Sequence, residues 1–358
     1  MRELQQAWPR PSRPRPIVII GAGAIVCTAH LPAYQRLALP VAGVFDINPE
    51  QARATASQFG IGRVYASLDE AVRDQGVVFD LAVPGDQVIA ILERLPEGAT
   101  VLIQKPMGGD LAEADRILAC CRGKKLIAAI NFQLRFAPGM LALHDLVCRG
   151  DLGTLVDIDV RIVIAQPWQN WTFMVGAPRV EIVYHSIHYI DAIRWLAGEP
   201  RGVYCKVVGH PSTPQLSDTR SSIVLDYGGA LRCSLVLNHT HQGDATHKTS
   251  QILVEGTKGI TRVTWGVNLD YPAGPPDTME ISELSAVGPE AGWASVPLRG
   301  SWFTQAFEGP MSNLQRFVAG EDRALVSPVE DAIKTMAAVE ACYESSAHGA
   351  TPIRGDWR

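Results

Sequence analysis

The sequence predicts an α/β protein in two parts: an N-terminal Rossmann domain with a doubly wound parallel sheet, then an α+β domain with an open, mainly antiparallel sheet. Three observations predict it. Residues 17–131 alternate short apolar, β-branched runs with helix-patterned segments, the rhythm of βαβ units. The run Ile17 to Ile20 stops at Gly21-Ala22-Gly23 and resumes as a helical segment, which is the strand, glycine turn, helix context of dinucleotide binding. Beyond residue 150 the rhythm gives way to strands joined by turn signals, with too few helices to cover both faces of a sheet.

In chain order, residues 1–15 are rich in Arg and Pro and lack the apolar core of a secretory signal. They are expected to form a flexible or arm-like leader. Residues 16–135 are expected to form the nucleotide-binding domain. Its strands are placed at Ile17–Ile20, Val41–Phe45, Val64-Tyr65, Val77–Val83, Thr100–Ile103 and Leu126–Ile130. Helices are placed between them, with Asn48 capping Pro49–Phe59, Ser67 capping a helix to Asp74, and further helices at Asp86–Leu95 and Asp110–Cys121. In such a sheet ligands bind at the carboxyl ends of the strands, where Gly21, Asp46, Pro84, Lys105 and Asn131 all fall.

Residues 136–358 are expected to form the second domain. Helices are placed at Pro138–Arg149, Glu181–Leu196, Phe303–Ala319 and Val329–His348, the last two free to pack back on the first domain. Strands are placed at Leu155–Ile164, Gly202–Val208, Arg220–Tyr227, Leu231–Asn238, Thr249–Glu255 and Gly259–Thr264. Asp226–Gly229 and Glu255–Gly259 read as hairpin turns, and residues 266–301 as a long loop.

Composition narrows the function. The chain has 358 residues, 47% hydrophobic and 19% charged, and a net charge of −5, which gives no basic surface for nucleic acid. No apolar run approaches the ~18–20 residues that span a bilayer. Seven scattered cysteines without a CxxC pair suggest reduced thiols and a cytoplasmic setting. His239, His241 and His247 lack carboxylate or cysteine partners at metal spacing, so no metal is expected.

The cofactor reading rests on the glycine turn and on the strand after it. Gly21 permits the turn, and Gly23 lets backbone approach a pyrophosphate seated at the helix start, on Ala24 and Ile25. Val26 stands where a third glycine would be. Asp46, twenty-five residues after Gly21, is placed to accept the ribose hydroxyls. It repels a 2′-phosphate, and Ile47 offers no cation, so NAD is expected over NADP. Pro84, Gln104 and Lys105 border the same site. Lys105 follows an apolar strand and precedes Pro106, so it stands at the rim of the sheet. There it can hydrogen-bond a substrate hydroxyl near the nicotinamide, and desolvation suits it to proton transfer.

The segments IVIIGAGAIV, FDINPEQARATASQFG, FDLAVP, VLIQKPMGGDLAEADRIL and INFQLRFAPGM come one after another in an order and spacing that resembles the Gfo/Idh/MocA oxidoreductases. The closing LVSPVEDAIKTMAAVEACYESSAHGATPI is similar to the end of that family. The resemblance implies a Rossmann domain, a sheet domain used for oligomer contacts as a dimer or tetramer, NAD or NADP, and oxidation of a hydroxyl on a sugar, cyclitol or derivative. It also exposes departures. Gln104 replaces the Glu of the family's Glu-Lys-Pro, and Gln87 stands where a histidine often comes after Pro84. The family's Asp, four residues before a His, is matched by Tyr184; the His is matched by His188 and the next Asp by Asp191, with His185 added to the polar set.

Helical spacing puts Glu181, His185 and His188 on one face, with Tyr184 four residues before His188. Lys105 and His188 are the expected catalytic pair, assisted by Tyr184 or His185. Asp191 is expected to be structural. Asn131, Arg135, Trp168 and Trp171 are the expected substrate contacts together with His188, because tryptophan faces stack on sugar C–H faces. Asn238-His239-Thr240-His241 comes after a strand and also reaches the expected pocket mouth. The expected activity is NAD-dependent oxidation of a secondary hydroxyl of a sugar, sugar acid or cyclitol. The alternatives are a redox-neutral glycosidase or isomerase that keeps its NAD, and a non-catalytic sugar sensor.

Overall fold

The computed structural model describes residues 3–272, 274–283 and 292–351. β1 (Ile17–Ile20), β2 (Val41–Phe45), β3 (Val78–Leu81), β4 (Thr100–Gln104) and β5 (Ile127–Asn131) form a parallel sheet in the order β2-β1-β3-β4-β5. The strands are apolar because both faces are covered. Val18, Ile20, Phe79, Leu81, Val101 and Ile103 point into one core, while Ile17, Ile19, Val78 and Leu102 point into the other. Asn48 caps the helix Pro49–Phe59 by accepting from Glu50 N at 3.0 Å, and Gly60, at φ 68°, ends it. Val64 makes only a single bridge to Val44 rather than a strand, and the helix after Ser67 stops at Ala71.

The second sheet comprises β6 (Leu155–Val163), β7 (Gly202–Val208), β8 (Arg220–Asp226), β9 (Arg232–Asn238), β10 (Thr249–Gly256), β11 (Gly259–Thr264), β12 (Thr278–Glu283) and β13 (Ala294–Val296). Its order is β13-β12-β11-β10-β6-β9-β8-β7, and β6 with β9 is the parallel pair in a mainly antiparallel sheet. The turn after Asp226 joins β8 to β9, and the turn after Gly256 joins β10 to β11. The expected loop over residues 266–301 is corrected: it carries β12 and β13. Met279 and Ile281 are buried, and β12 pairs along β11 from Gly259 to Thr264. A six-residue alternation inside a Pro- and Gly-rich stretch becomes a strand only because β11 offers it an edge. Residues 273 and 284–291 of that segment lie outside the described residues.

The closing helices join the two domains. Ser327 extends the open edge of β5: Ile130 N donates to its carbonyl at 2.8 Å, and its hydroxyl donates back to Ile130 O at 2.7 Å. From there Val329–His348 runs to the other sheet, where Ser345 and Ser346 accept from Cys205 N and Val207 N of β7. The expected helix Phe303–Ala319 is broken into Trp302–Gln305 and Glu308–Val318. Of the two expectations for the leader, flexible or arm-like, its described residues 3–15 follow the second and lie as a docked arm. Leu4 is buried, Gln5 N donates to Asp145, and Trp8 Nε1 donates to Asp322 at 2.8 Å with its ring edge-on to Phe136. A tryptophan and a leucine give this Pro-rich segment enough apolar area to hold it against the surface. Among the described residues no helix is long and apolar enough to cross a membrane.

Candidate active site

The turn after β1 is built for close approach. Gly21 has φ 98°, and a Cβ there would stand 2.4 Å from Ala82 O, so only glycine fits. At Gly23 a Cβ would meet nothing within 4 Å: that position faces open space. The helix begins at Ala24, and its first amides have no preceding turn to bond to. Val26 N and Cys27 N both donate to Gly23 O, and the helix is π-wound from Val26 to His30. Asp46 closes the turn: Oδ2 accepts from Ala22 N at 2.7 Å and Oδ1 from Asn48 N at 2.8 Å. The acid therefore holds the glycine turn from the next strand, with remaining lone pairs for a ribose. Ile47 beside it is 93% exposed, and Pro84 caps the helix Gly85–Leu92. An open glycine cradle at a helix start and an acid on the second strand fit the pyrophosphate and ribose of a dinucleotide.

Beneath that turn lies a buried polar chain. His30 Nδ1 is 2.8 Å from Asp80, Tyr34 donates its hydroxyl to the same carboxylate at 2.7 Å, and Asn131 Nδ2 is 3.2 Å from His30 Nε2. All four side chains are buried. Asn131, expected at the substrate, is corrected: its amide faces inward to His30 and ties β5 to the first helix.

Lys105 stands at the end of β4, as expected. Its Nζ donates to the carbonyl of Tyr184 at 2.8 Å, and it makes no salt bridge among the described residues. Burial without an acid partner lowers it to about 8. His188 is 7% exposed, stands edge-on to Trp302 at 5.4 Å, and its Nδ1 has no hydrogen-bond partner among the described residues. Burial, and then the nearby charge of Lys105, hold it well below the usual imidazole range. His185 is half-buried and also held well below the usual imidazole range, by burial first and then by His239, Lys105 and His188. Its Nε2 is 3.2 Å from Gln166 Nε2, and the edges of Trp168 and Trp171 frame it at 5.0 and 5.7 Å.

The polar residues converge because Ile182–Ser186 is π-wound before the α-helix Ile187–Ala197. The extra residue in that turn breaks the regular spacing assumed over Glu181–Leu196 and brings His185 and His188 toward Lys105 together. Tyr184 is corrected. It meets Lys105 through its backbone carbonyl, while its ring packs on Phe173 at 5.4 Å. Burial, Asp86 and Glu113 raise its phenol, so it is no base at neutral pH.

Arg135 is the other correction. It is 2% exposed, and its guanidinium donates to Asp191 at 2.7 and 2.6 Å, to Asp331 at 2.6 Å and to Val326 O at 2.7 Å. Burial opposes its charge, and the two carboxylates outweigh that and raise it further. Asp191 also accepts from Thr335, and Arg194 pairs with Asp331 and Glu199, which locks the domain seam. Asp191, expected to be structural and to hold a neighbouring backbone or Arg194, has Arg135 as its main partner.

Several neighbours carry no strong sequence signal. Gln166 comes just after β6 in the polar-aromatic run Gln166–Trp171, but nothing in its spacing marks it as the partner of His185. Trp302 and Tyr271 come from in and beside the segment expected to be loop; Tyr271 packs between Trp171 and Phe303. Glu181 and His239 lie 3.2 Å apart and buried, a pairing that no local spacing reveals.

Comparison with known proteins agrees with this architecture. Residues 15–132 match a family model described as an oxidoreductase family with an NAD-binding Rossmann fold, and residues 140–262 match the GFO/IDH/MocA C-terminal domain. The chain is 25% identical over 295 residues to a trans-1,2-dihydrobenzene-1,2-diol dehydrogenase of Bos taurus, covering 75% of this chain and 83% of that protein. It is 24% identical over 338 residues to a D-apiose dehydrogenase of Rhizobium rhizogenes, covering 87% and 89%. The solved structure of an oxidoreductase from Agrobacterium radiobacter in complex with NAD+, L-tartaric acid and magnesium superposes with a TM-score of 0.76 at 18% identity, covering 94% of this chain and 98% of that one. Both halves of the chain match, in order and over the described fold, and so the protein is an enzyme of the Gfo/Idh/MocA oxidoreductase family.

Proposed function

We propose that the protein is an NAD-dependent dehydrogenase that oxidises a secondary hydroxyl of a sugar, sugar acid or cyclitol. The observation that carries this reading is the half-buried Lys105, its Nζ on the Tyr184 carbonyl and without an acid partner among the described residues, beside two imidazoles held well below their usual range by burial at the carboxyl end of the parallel sheet. NAD+, when bound, supplies the hydride acceptor. Lys105 donates a hydrogen bond to the reacting oxygen and orients it. His188, with an unpartnered Nδ1, receives the hydroxyl proton, and a lysine lowered to about 8 stabilises the alkoxide character that develops. Trp168, Trp171 and Trp302 supply apolar walls that exclude water and fit the C–H faces of a ring. Asp46, with Ile47 and Asn48 after it, favours a free 2′-hydroxyl and so NAD over NADP.

Incubation with NAD+ and a panel of sugars, sugar acids, cyclitols and cyclic diols, monitored by NADH absorbance, tests the proposal. Net NADH supports it. Product without net NADH identifies redox-neutral chemistry, and saturable binding without any product identifies a sensor. Tyr204, Val224 and Val236 are 67%, 42% and 39% exposed on one face of the second sheet. We take that face as the contact of a homodimer or homotetramer in the cytoplasm; a monomer by light scattering at micromolar concentration contradicts this.

A further inference from the structure

Asp277 is buried and lies just before β12, in the stretch expected to be loop. Its carboxylate takes one backbone amide on each oxygen. Oδ1 accepts from Gly266 N at 2.8 Å, and Oδ2 accepts from Trp302 N at 2.7 Å. Its own amide donates to Ser301 Oγ at 3.0 Å. Both side-chain atoms must therefore accept, which a carboxylate does and an amide side chain does not. Burial pushes the acid up to about 6, and the two backbone amides oppose that shift. No cation pairs with it among the described residues. A buried carboxylate without a counter-charge costs stability that only its hydrogen bonds offset.

The two amides lie 11 and 25 positions from Asp277 in the chain. Gly266 follows Trp265 at the end of β11, and Trp302 starts the first of the broken helices. The carboxylate thus ties together the backbones that carry two tryptophans. Their rings stand 5.9 Å apart. Tyr189 stacks on Trp265 at 5.4 Å, and Trp302 stands edge-on to His188 at 5.4 Å. All four side chains are buried. Gly266 is itself a fixed point: a Cβ there would stand 1.6 Å from Pro275 O. Asp277 passes that fixed point on to Trp302, and Trp302 covers one side of His188.

We infer that Asp277 is a positioning residue: it clamps Trp302 to the Trp265 joint and so holds the aromatic wall that keeps water from His188. The inference rests on the dehydrogenase reading for the proton that His188 receives, but not for the clamp itself. Burial is the larger cause of the low His188 value, ahead of the charge of Lys105. Loosening the wall therefore changes how readily this imidazole takes and returns a proton. The titratable groups that face His188 are Lys105 from the end of β4 and His185 on the preceding turn. Neither contributes to the shift at Asp277.

The test is a pH titration of the full chain with 15N-labelled histidine, read by imidazole NMR without substrate or cofactor. His188→Gln assigns the resonance. Asp277→Asn keeps the shape of the side chain but gives up one acceptor, so one backbone amide loses its bond. It is expected to raise the His188 midpoint by about half to one pH unit, because water reaches the ring. Ser301→Ala removes the acceptor of the Asp277 amide and leaves the carboxylate. It is expected to raise the midpoint by about 0.3 pH unit, and it carries the test if Asp277→Asn does not fold. Trp302→Leu is expected to act as strongly as Asp277→Asn, and the double variant no more strongly, since the acid works through the ring. A midpoint within about 0.2 pH unit of wild type in the folded Asp277 and Ser301 variants overturns the clamp. So does a double variant whose shift is the sum of the two single shifts. Neither result touches the dehydrogenase reading, which stands or falls on NADH formation.

Discussion

Two groups of buried charge share one helix, and they are built in opposite ways. Toward the middle of Ile187–Ala197, Asp191 and Arg194 meet Arg135, Asp331 and Glu199, and every charge there has a partner of opposite sign. At its start, His188 and the preceding His185 face Lys105, and no carboxylate compensates the lysine among the described residues. Arg135, Asp191 and Arg194 are buried, while His188 is buried and Lys105 and His185 are half-buried. The first arrangement neutralises itself and fixes the seam between domains. The second leaves an ammonium and two imidazoles with spare donor and acceptor capacity, which a substrate can use. Paired burial marks scaffold, and unpaired burial marks chemistry.

The comparison breaks most visibly at Lys105. Lys105→Ala is expected to lower kcat/KM by roughly two to four powers of ten while NAD+ affinity stays near wild type, because the ammonium acts on the reacting oxygen and not on the dinucleotide. Near-normal turnover would remove Lys105 from the chemistry. At the seam the opposite split is expected. Asp191→Ala leaves Arg135 short of its bidentate partner and should cost about 3–5 kcal/mol of stability by denaturant unfolding, with an unchanged pH profile for whatever enzyme remains folded. A loss under about 1 kcal/mol would mean that Asp331 alone balances the cluster.

Acid should separate the two groups next. His185 and His188 titrate well below their ordinary value in the folded state and near 6.5 when unfolded. Below pH ~6.5 the unfolded chain therefore binds more protons, and stability falls as pH falls, by about 1.4 kcal/mol per pH unit for each histidine until its folded value is reached. His188→Gln should flatten that slope between pH ~6.5 and ~5, and an unchanged slope would contradict the burial assignment. The smallest expected effect is at the cofactor turn. NAD should bind more tightly than NADP by at least about 1.4 kcal/mol, and Asp46→Ser should narrow the gap. Since Asp46 also holds Ala22 N and Asn48 N, that variant should weaken NAD binding too. Equal affinity for the two cofactors in the wild type would refute the assignment.

Local sequence determined the nucleotide half of this protein. The run Ile17–Ile20, the Gly21 turn, the Asn48 cap and the Lys105 position each depend on residues near in the chain, and backbone conformation, capping and strand burial are local or periodic properties. Tertiary structure decided which partners the buried polar groups of both halves meet. Asn131 and Arg135 stand at the right end of β5, yet their side chains turn inward because His30, Asp191 and Asp331 arrive from other elements. Tyr184 enters the site by its carbonyl because the helix starts with a π turn. β12 forms because β11 leaves an edge for it. Glu181 and His239 meet although 58 positions separate them in the chain. Which partner satisfies a buried polar group depends on distances between chain-remote atoms, and periodicity carries no record of those distances.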